Sequence, residues 1–194
     1  MLTSINPLGE RSRGQRFWLT ATWYVTGSVL GGVILGLAAG YLGTLLPRGD
    51  WRGVVALVAV ISGAGFDLLR KQPPSIHRQV NEDWLSRYRG WVYGSGFGFQ
   101  LGIGITTIVP SASFYSILIL MMLSGEVLAG ALIGGIFGLT RASVIGAVAR
   151  INTPGALREM MRRMQKRLEL ARVAVVAAQL FVAAAVATAL ATTA

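Results

Sequence analysis

The run Trp91–Leu123 holds 33 residues without a charge, is glycine-rich in its first half, and contains Pro110. As one helix it would be about 50 Å long, against a bilayer hydrocarbon core of about 30 Å. Tilt, protrusion or a break has to absorb the surplus. Proline removes a backbone donor and disfavours helix at the residue before it. Thr106, Thr107, Ser111 and Ser113 flank it and can bond the carbonyls that a break releases. The passage is therefore expected to be kinked or broken at Pro110.

Four further apolar runs surround it, at about 17–46, 53–69, 127–149 and 173–191. Each is long enough to read as membrane-spanning. The first is too long for the apolar region of a signal peptide and is read as a retained span. Charged residues make up 13% of the chain, about half the usual share of a soluble domain. These features predict an all-α polytopic membrane protein folded as a single membrane domain over 1–194.

Two polar segments punctuate the spans. In 75–89, Ile76, Val80, Trp84 and Tyr88 recur every four positions, the spacing of an amphipathic helix lying on the membrane face. Asn152-Thr153-Pro154 is a helix-start signal, a capping residue followed by proline at the first helical position. The helix it opens, about 154–172, carries Leu157, Met160, Met161, Met164 and Leu168 on one face. Arg158, Arg162, Arg163, Lys166 and Arg167 cover the rest. A basic amphipathic helix of this kind suits a surface of anionic lipids.

Charge decides how often Trp91–Leu123 crosses. If it crosses once there are five spans, and sixteen of the eighteen lysines and arginines share one side with the N-terminus. Only Arg48 and Arg52 fall on the other. Two crossings would move the basic residues of 141–172 outside, against the positive-inside rule. The expectation is five transmembrane helices and two amphipathic cytoplasmic surface helices, in the inner (cytoplasmic) membrane. The N-terminus is then cytoplasmic and the C-terminus outside. The formal net charge of +10 is assigned to this membrane edge rather than to nucleic acid.

The chain has no cysteine, and its one histidine, His77, has no metal-binding spacing to Glu82 or Asp83. No cofactor, no metal site and no catalytic set is expected. Small residues recur at i, i+4 and i+8 in three runs: Gly32, Gly36, Gly40; Gly94, Gly98, Gly102; and Gly130, Gly134, Gly138. Such faces let helix backbones approach closely in lipid. Polar groups inside a membrane need partners or a function. Gln100, Thr106, Thr107 and Ser111, grouped around Pro110, are the candidate substrate-binding set. Asp67 and Arg141, at one membrane edge, are expected to pair or to line one vestibule. Gln179 in the last span either bonds another helix or contacts a solute.

The segment GFGFQLGIGITTIVPSASFYSILILMMLSGEVLAGALIGGIFGL, about 96–139, resembles part of the DsbD/CcdA family of membrane electron carriers. There a span with a glycine-rich entry and a proline kink beside cysteine precedes a short turn and a glycine-rich span. The resemblance places Thr106–Ser111 where the reactive kink would lie. This chain lacks the cysteines that a dithiol relay needs, so the resemblance implies carrier-like architecture without that chemistry. Two functions follow as expectations. One is a small carrier with a polar site at the broken third span. The alternative is a non-catalytic accessory or assembly subunit of a larger membrane complex. The partners are anionic lipids and, for the second function, another membrane protein or a second copy.

Overall fold

The computed structural model describes residues 5–71, 73–74, 83–104, 109 and 111–193, and all regular structure among them is helical. A short α1 (Pro7–Ser12) precedes α2 (Phe17–Thr44), and a turn leads into α3 (Trp51–Leu68). After the single-turn α4 (Trp84–Arg87) come α5 (Gly90–Ile103) and α6 (Ser113–Leu123). Then α7 (Val127–Ser143) and α8 (Ile145–Val148) follow almost without interruption. Finally α9 (Pro154–Lys166) leads into α10 (Leu168–Thr193).

The arrangement is built around α2. Its most extensive contacts are with α7 on one side and α5 on the other. Gly32, Gly36 and Gly40 face Gly134, Gly130 and Glu126, so α7 runs antiparallel to α2. Gly94, Gly98 and Gly102 of α5 face Thr20, Tyr24 and Ser28, so α5 runs parallel to it. A Cβ at Gly36 would collide with the carbonyl oxygen of Gly130, and one at Gly98 with that of Tyr24. The small-residue faces therefore bring backbone onto backbone, which favours dispersion and Cα–H···O contacts where water supplies no driving force. Ser28 Oγ adds a cross-helix bond of 2.8 Å to the Gly138 carbonyl.

A second layer is formed by α3 and α10, packed antiparallel. Gly53 lies against Leu190 and Gly63 against Gln179, and at the far end Arg70 meets Glu169 at 3.3 Å. That last pair is exposed, so it stabilises the fold little. The layer joins the first through α6. Large apolar side chains also point outward: Leu30, Ile34, Leu128, Leu132, Ile136 and Phe181 are all exposed. Helices apolar on both faces are what a bilayer accepts.

The structure corrects the expected five spans. Among the described residues, four helical stretches are long and apolar enough to cross a membrane: Phe17–Thr44, Trp51–Leu68, Val127–Val148 and Leu168–Thr192. The expected span 91–123 is instead two short helices, α5 of 14 residues and α6 of 11. At helical rise these are about 21 and 16 Å long, and neither crosses a core of about 30 Å alone. They lie in series along α2: α5 begins beside Thr20, and Met122 of α6 reaches Gly43. The expected helix 154–172 is also divided, because α9 ends at Lys166 and Arg167 caps it. Its start is as expected, with the Thr153 hydroxyl accepting the Ala156 N–H at 3.3 Å. The expected surface helix 75–89 lies largely outside the described residues.

The N-terminal residues pack as well. Asn6 caps α1 by accepting the Gly9 N–H at 2.9 Å, and Pro7 is its first residue. This seats Ile5 in a core with Phe17, Tyr24, Tyr93, Phe97, Ile145 and Val148. It also buries Glu10 completely. The carboxylate accepts from the Thr20 and Tyr93 hydroxyls, each at 2.6 Å, and from Arg13 Nη2 at 2.6 Å. A buried carboxylate is tolerable when so many donors surround it.

Substitution separates packing glycines from others. Gly36→Ala is expected to lower stability by about 1–3 kcal/mol, because α2 and α7 must separate. Gly65→Ala, whose added Cβ meets nothing within 4 Å, is expected to be neutral or stabilising by about 0.5–1 kcal/mol. Thermal unfolding of the two variants in the same detergent measures both signs.

Candidate functional site

The gap between α5 and α6 falls beside the middle of α2, where Leu35, Val109 and Phe114 form a small core with Phe137. A helix end at this depth leaves backbone donors or acceptors that lipid cannot satisfy. Two charged side chains from other helices meet this need. Asp67 of α3 takes the start of α6: Oδ1 accepts the Ala112 N–H at 2.9 Å, and Oδ2 accepts the Ser111 hydroxyl at 2.7 Å. The hydroxyl's one proton is spent on the carboxylate. Its oxygen therefore accepts from Ser113, whose N–H lies at 3.1 Å and whose Oγ lies at 2.7 Å.

At the other edge of the gap, Arg141 of α7 donates from Nη1 to the Leu101 carbonyl at 3.0 Å. Its guanidinium also lies over the Phe137 ring, 5.4 Å from the centroid. The last residues of α5 turn at Gly104, whose φ is +72° and whose N–H returns to the Gln100 carbonyl at 3.2 Å. Glycine adopts this conformation without a Cβ penalty. A Cβ here would also collide with Phe114. The carboxylate thus sits at the positive end of α6 and the guanidinium at the negative end of α5, the favourable sign at each.

The sequence-derived sites are distributed as follows. Asp67 and Arg141 do not pair with one another; each serves one side of the gap. Ser111 is bound into the α6 cap. Gln100 is half-buried, one turn before the end of α5. Thr106, Thr107 and Pro110 lie outside the described residues. A groove of about 360 Å³ runs beside α6, but its walls are mainly apolar: Ala59, Gly63, Phe66, Pro73 and Ala112 among them. Among the described residues no three His, Cys, Asp or Glu side chains converge as a metal site would require.

Gln179 stands out on α10. It is 6% exposed, and among the described residues neither amide atom has a hydrogen-bond partner. The amide nitrogen lies against Gly63, beside the Ser116 hydroxyl. Such a group costs about 1–3 kcal/mol relative to a satisfied one.

No protein-family model matches the chain, and no solved structure matches it. Curated relatives do. The chain is 28% identical over 184 residues to the methylamine utilization protein MauF of Paracoccus versutus, across 91% of this chain and 67% of that protein. It is 31% identical over 147 residues to MauF of Methylophilus methylotrophus, across 72% of this chain and 52% of that protein. MauF of Methylobacillus flagellatus is 30% identical over 126 residues, across 64% of this chain and 44% of that protein. The chain thus spans about half to two thirds of the length of these relatives. They overturn the resemblance to the DsbD/CcdA family, which rested on glycine and proline placement within one stretch. Those residues serve close packing and helix ends in many membrane proteins.

Two substitutions test the site. Asp67→Leu removes the acceptor of two charge-assisted hydrogen bonds and is expected to cost about 2–4 kcal/mol, with Asp67→Asn costing less. Gln179→Leu removes an unsatisfied buried amide and is expected to raise stability by about 1 kcal/mol. Unfolding midpoints in micelles would show opposite shifts for the two positions.

Proposed function

We propose that this chain is a non-catalytic accessory membrane protein of a methylamine-utilisation system. The observation that carries this reading is the similarity to MauF, which runs along nine tenths of the chain rather than through one motif. The geometry is in keeping with it. The polar groups at the helix gap hold α5 and α6 in place; Ser111 is spent on the α6 cap rather than on a solute cavity. We therefore prefer this reading to a carrier. The two layers of helices leave long apolar faces for lipid or for a membrane partner. The basic segments face the cytoplasm; because α5 and α6 in series carry the chain from the Thr20 end of α2 to its Gly43 end, the four long helices and this divided passage put the C-terminus on the opposite side.

Deleting the gene in its host tests the role. Growth on methylamine as sole carbon or nitrogen source is expected to fail, with growth on succinate and ammonium unchanged. Equal growth of the deletion strain on methylamine would refute the proposal. The absence of native cysteine makes the orientation simple to check. A cysteine at Asp50 should react with an impermeant maleimide in intact cells, and one at Arg158 only after the membrane is opened. The reverse pattern would invert the topology.

A further inference from the structure

At the N-terminal end of α2, a pocket of about 790 Å³ opens between α1, the first turns of α2 and the segment 149–152. Arg11, Gln15, Arg16 and Asn152 contribute to its walls, and so do Trp18 and Leu19. Glu10 is the only acidic residue among the first 49, and it is already buried against Arg13, Thr20 and Tyr93. Neither Arg11 nor Arg16 forms an ion pair with a carboxylate among the described residues. Two guanidiniums and two side-chain amides therefore line one cavity without an anion among the described residues. Below them Trp18 is 69% exposed and Leu19 47% exposed, on the outward face of a helix apolar enough to span a membrane. Tryptophan at this level marks the boundary between headgroups and acyl chains.

We infer that this pocket binds the phosphate-bearing headgroup of an anionic glycerophospholipid. Arg11 and Arg16 hold the phosphate, and the acyl chains run down past Trp18 and Leu19. Guanidinium offers forked donors that match phosphate oxygens. The charge, the room and the apolar floor are found together here. On α9, by contrast, Arg162 and Arg163 both engage Glu159. The inference rests on the membrane reading of the fold. A protein absent from the membrane fraction would defeat that reading, whereas a membrane-embedded protein indifferent to lipid charge would defeat only the pocket.

Native mass spectrometry of the delipidated full chain, titrated with phosphatidylglycerol or phosphatidylcholine, is the test. Wild type should retain phosphatidylglycerol at least roughly tenfold more tightly, as two basic residues near a charged headgroup allow. Arg11→Gln/Arg16→Gln should lose that preference, and Arg11→Lys/Arg16→Lys should keep part of it. Arg162→Gln/Arg163→Gln on α9 should leave it intact. Should the Gln pair fail to fold, a preference reduced in the folded Lys pair would support forked phosphate recognition. An undiminished preference in the Lys pair would then overturn it. The proposal is also overturned if the folded Gln pair binds like wild type, or if the α9 pair abolishes the preference. Glycerol 3-phosphate competing as well as phosphatidylglycerol itself would show a soluble phosphate site instead, and would overturn the lipid assignment.

Discussion

The backbone of α2 touches the backbones of two other helices along most of its length, and the placement of everything else follows. Ser28 is where the two contacts converge. Its carbonyl lies against Gly102 of α5 and Gly138 of α7, and its hydroxyl bonds the Gly138 carbonyl. A side chain at any of the facing glycines would force a separation. In lipid, association depends on such packing and on interhelical hydrogen bonds, because apolar side chains gain little by leaving one apolar medium for another. Glycine costs helix stability in a soluble protein. Here that cost is offset by contact between helices.

Close packing of α5 and α7 on α2 has a consequence for the gap. It brings Arg141 to the end of α5, while α3, held through α6 and α10, brings Asp67 to the start of α6. The two charges could in principle have met and neutralised each other. Instead each is placed at a helix end whose partial charge has the opposite sign. The Ala112 N–H and the Leu101 carbonyl are thereby satisfied, and each ion gains hydrogen bonding. An interrupted helix held this way is a fixed structural element. That is in keeping with the proposed accessory role.

The N-terminal residues show the same economy of polar groups. Glu10 ties α1 to both α2 and α5 through Thr20 and Tyr93, closing the end of the layer built on α2. With Glu10 used internally, Arg11 and Arg16 line the pocket at that end without an ion pair to a carboxylate among the described residues. Charge at this face is therefore set by a buried contact.

Much of this was legible in the residues. Apolar length pointed to helices long enough to cross a membrane, glycine spacing identified the packing faces, and Thr153-Pro154 marked the start of α9. Asn6-Pro7 carries the same start signature, and α1 begins there. The positive φ of Gly104 ends α5. Expecting Pro110 alone to interrupt a single span therefore missed a gap already open at Gly104. The opposite placements of Asp67 and Arg141 were beyond sequence reasoning, since residues at similar depth on different helices can pair or part. Composition and periodicity by themselves determined that the chain is helical, apolar and close-packed, because those follow from local geometry and solvent. Only the tertiary structure decided which helices touch, where the passage divides and which charge caps which end, because the partners are 40 or more residues apart.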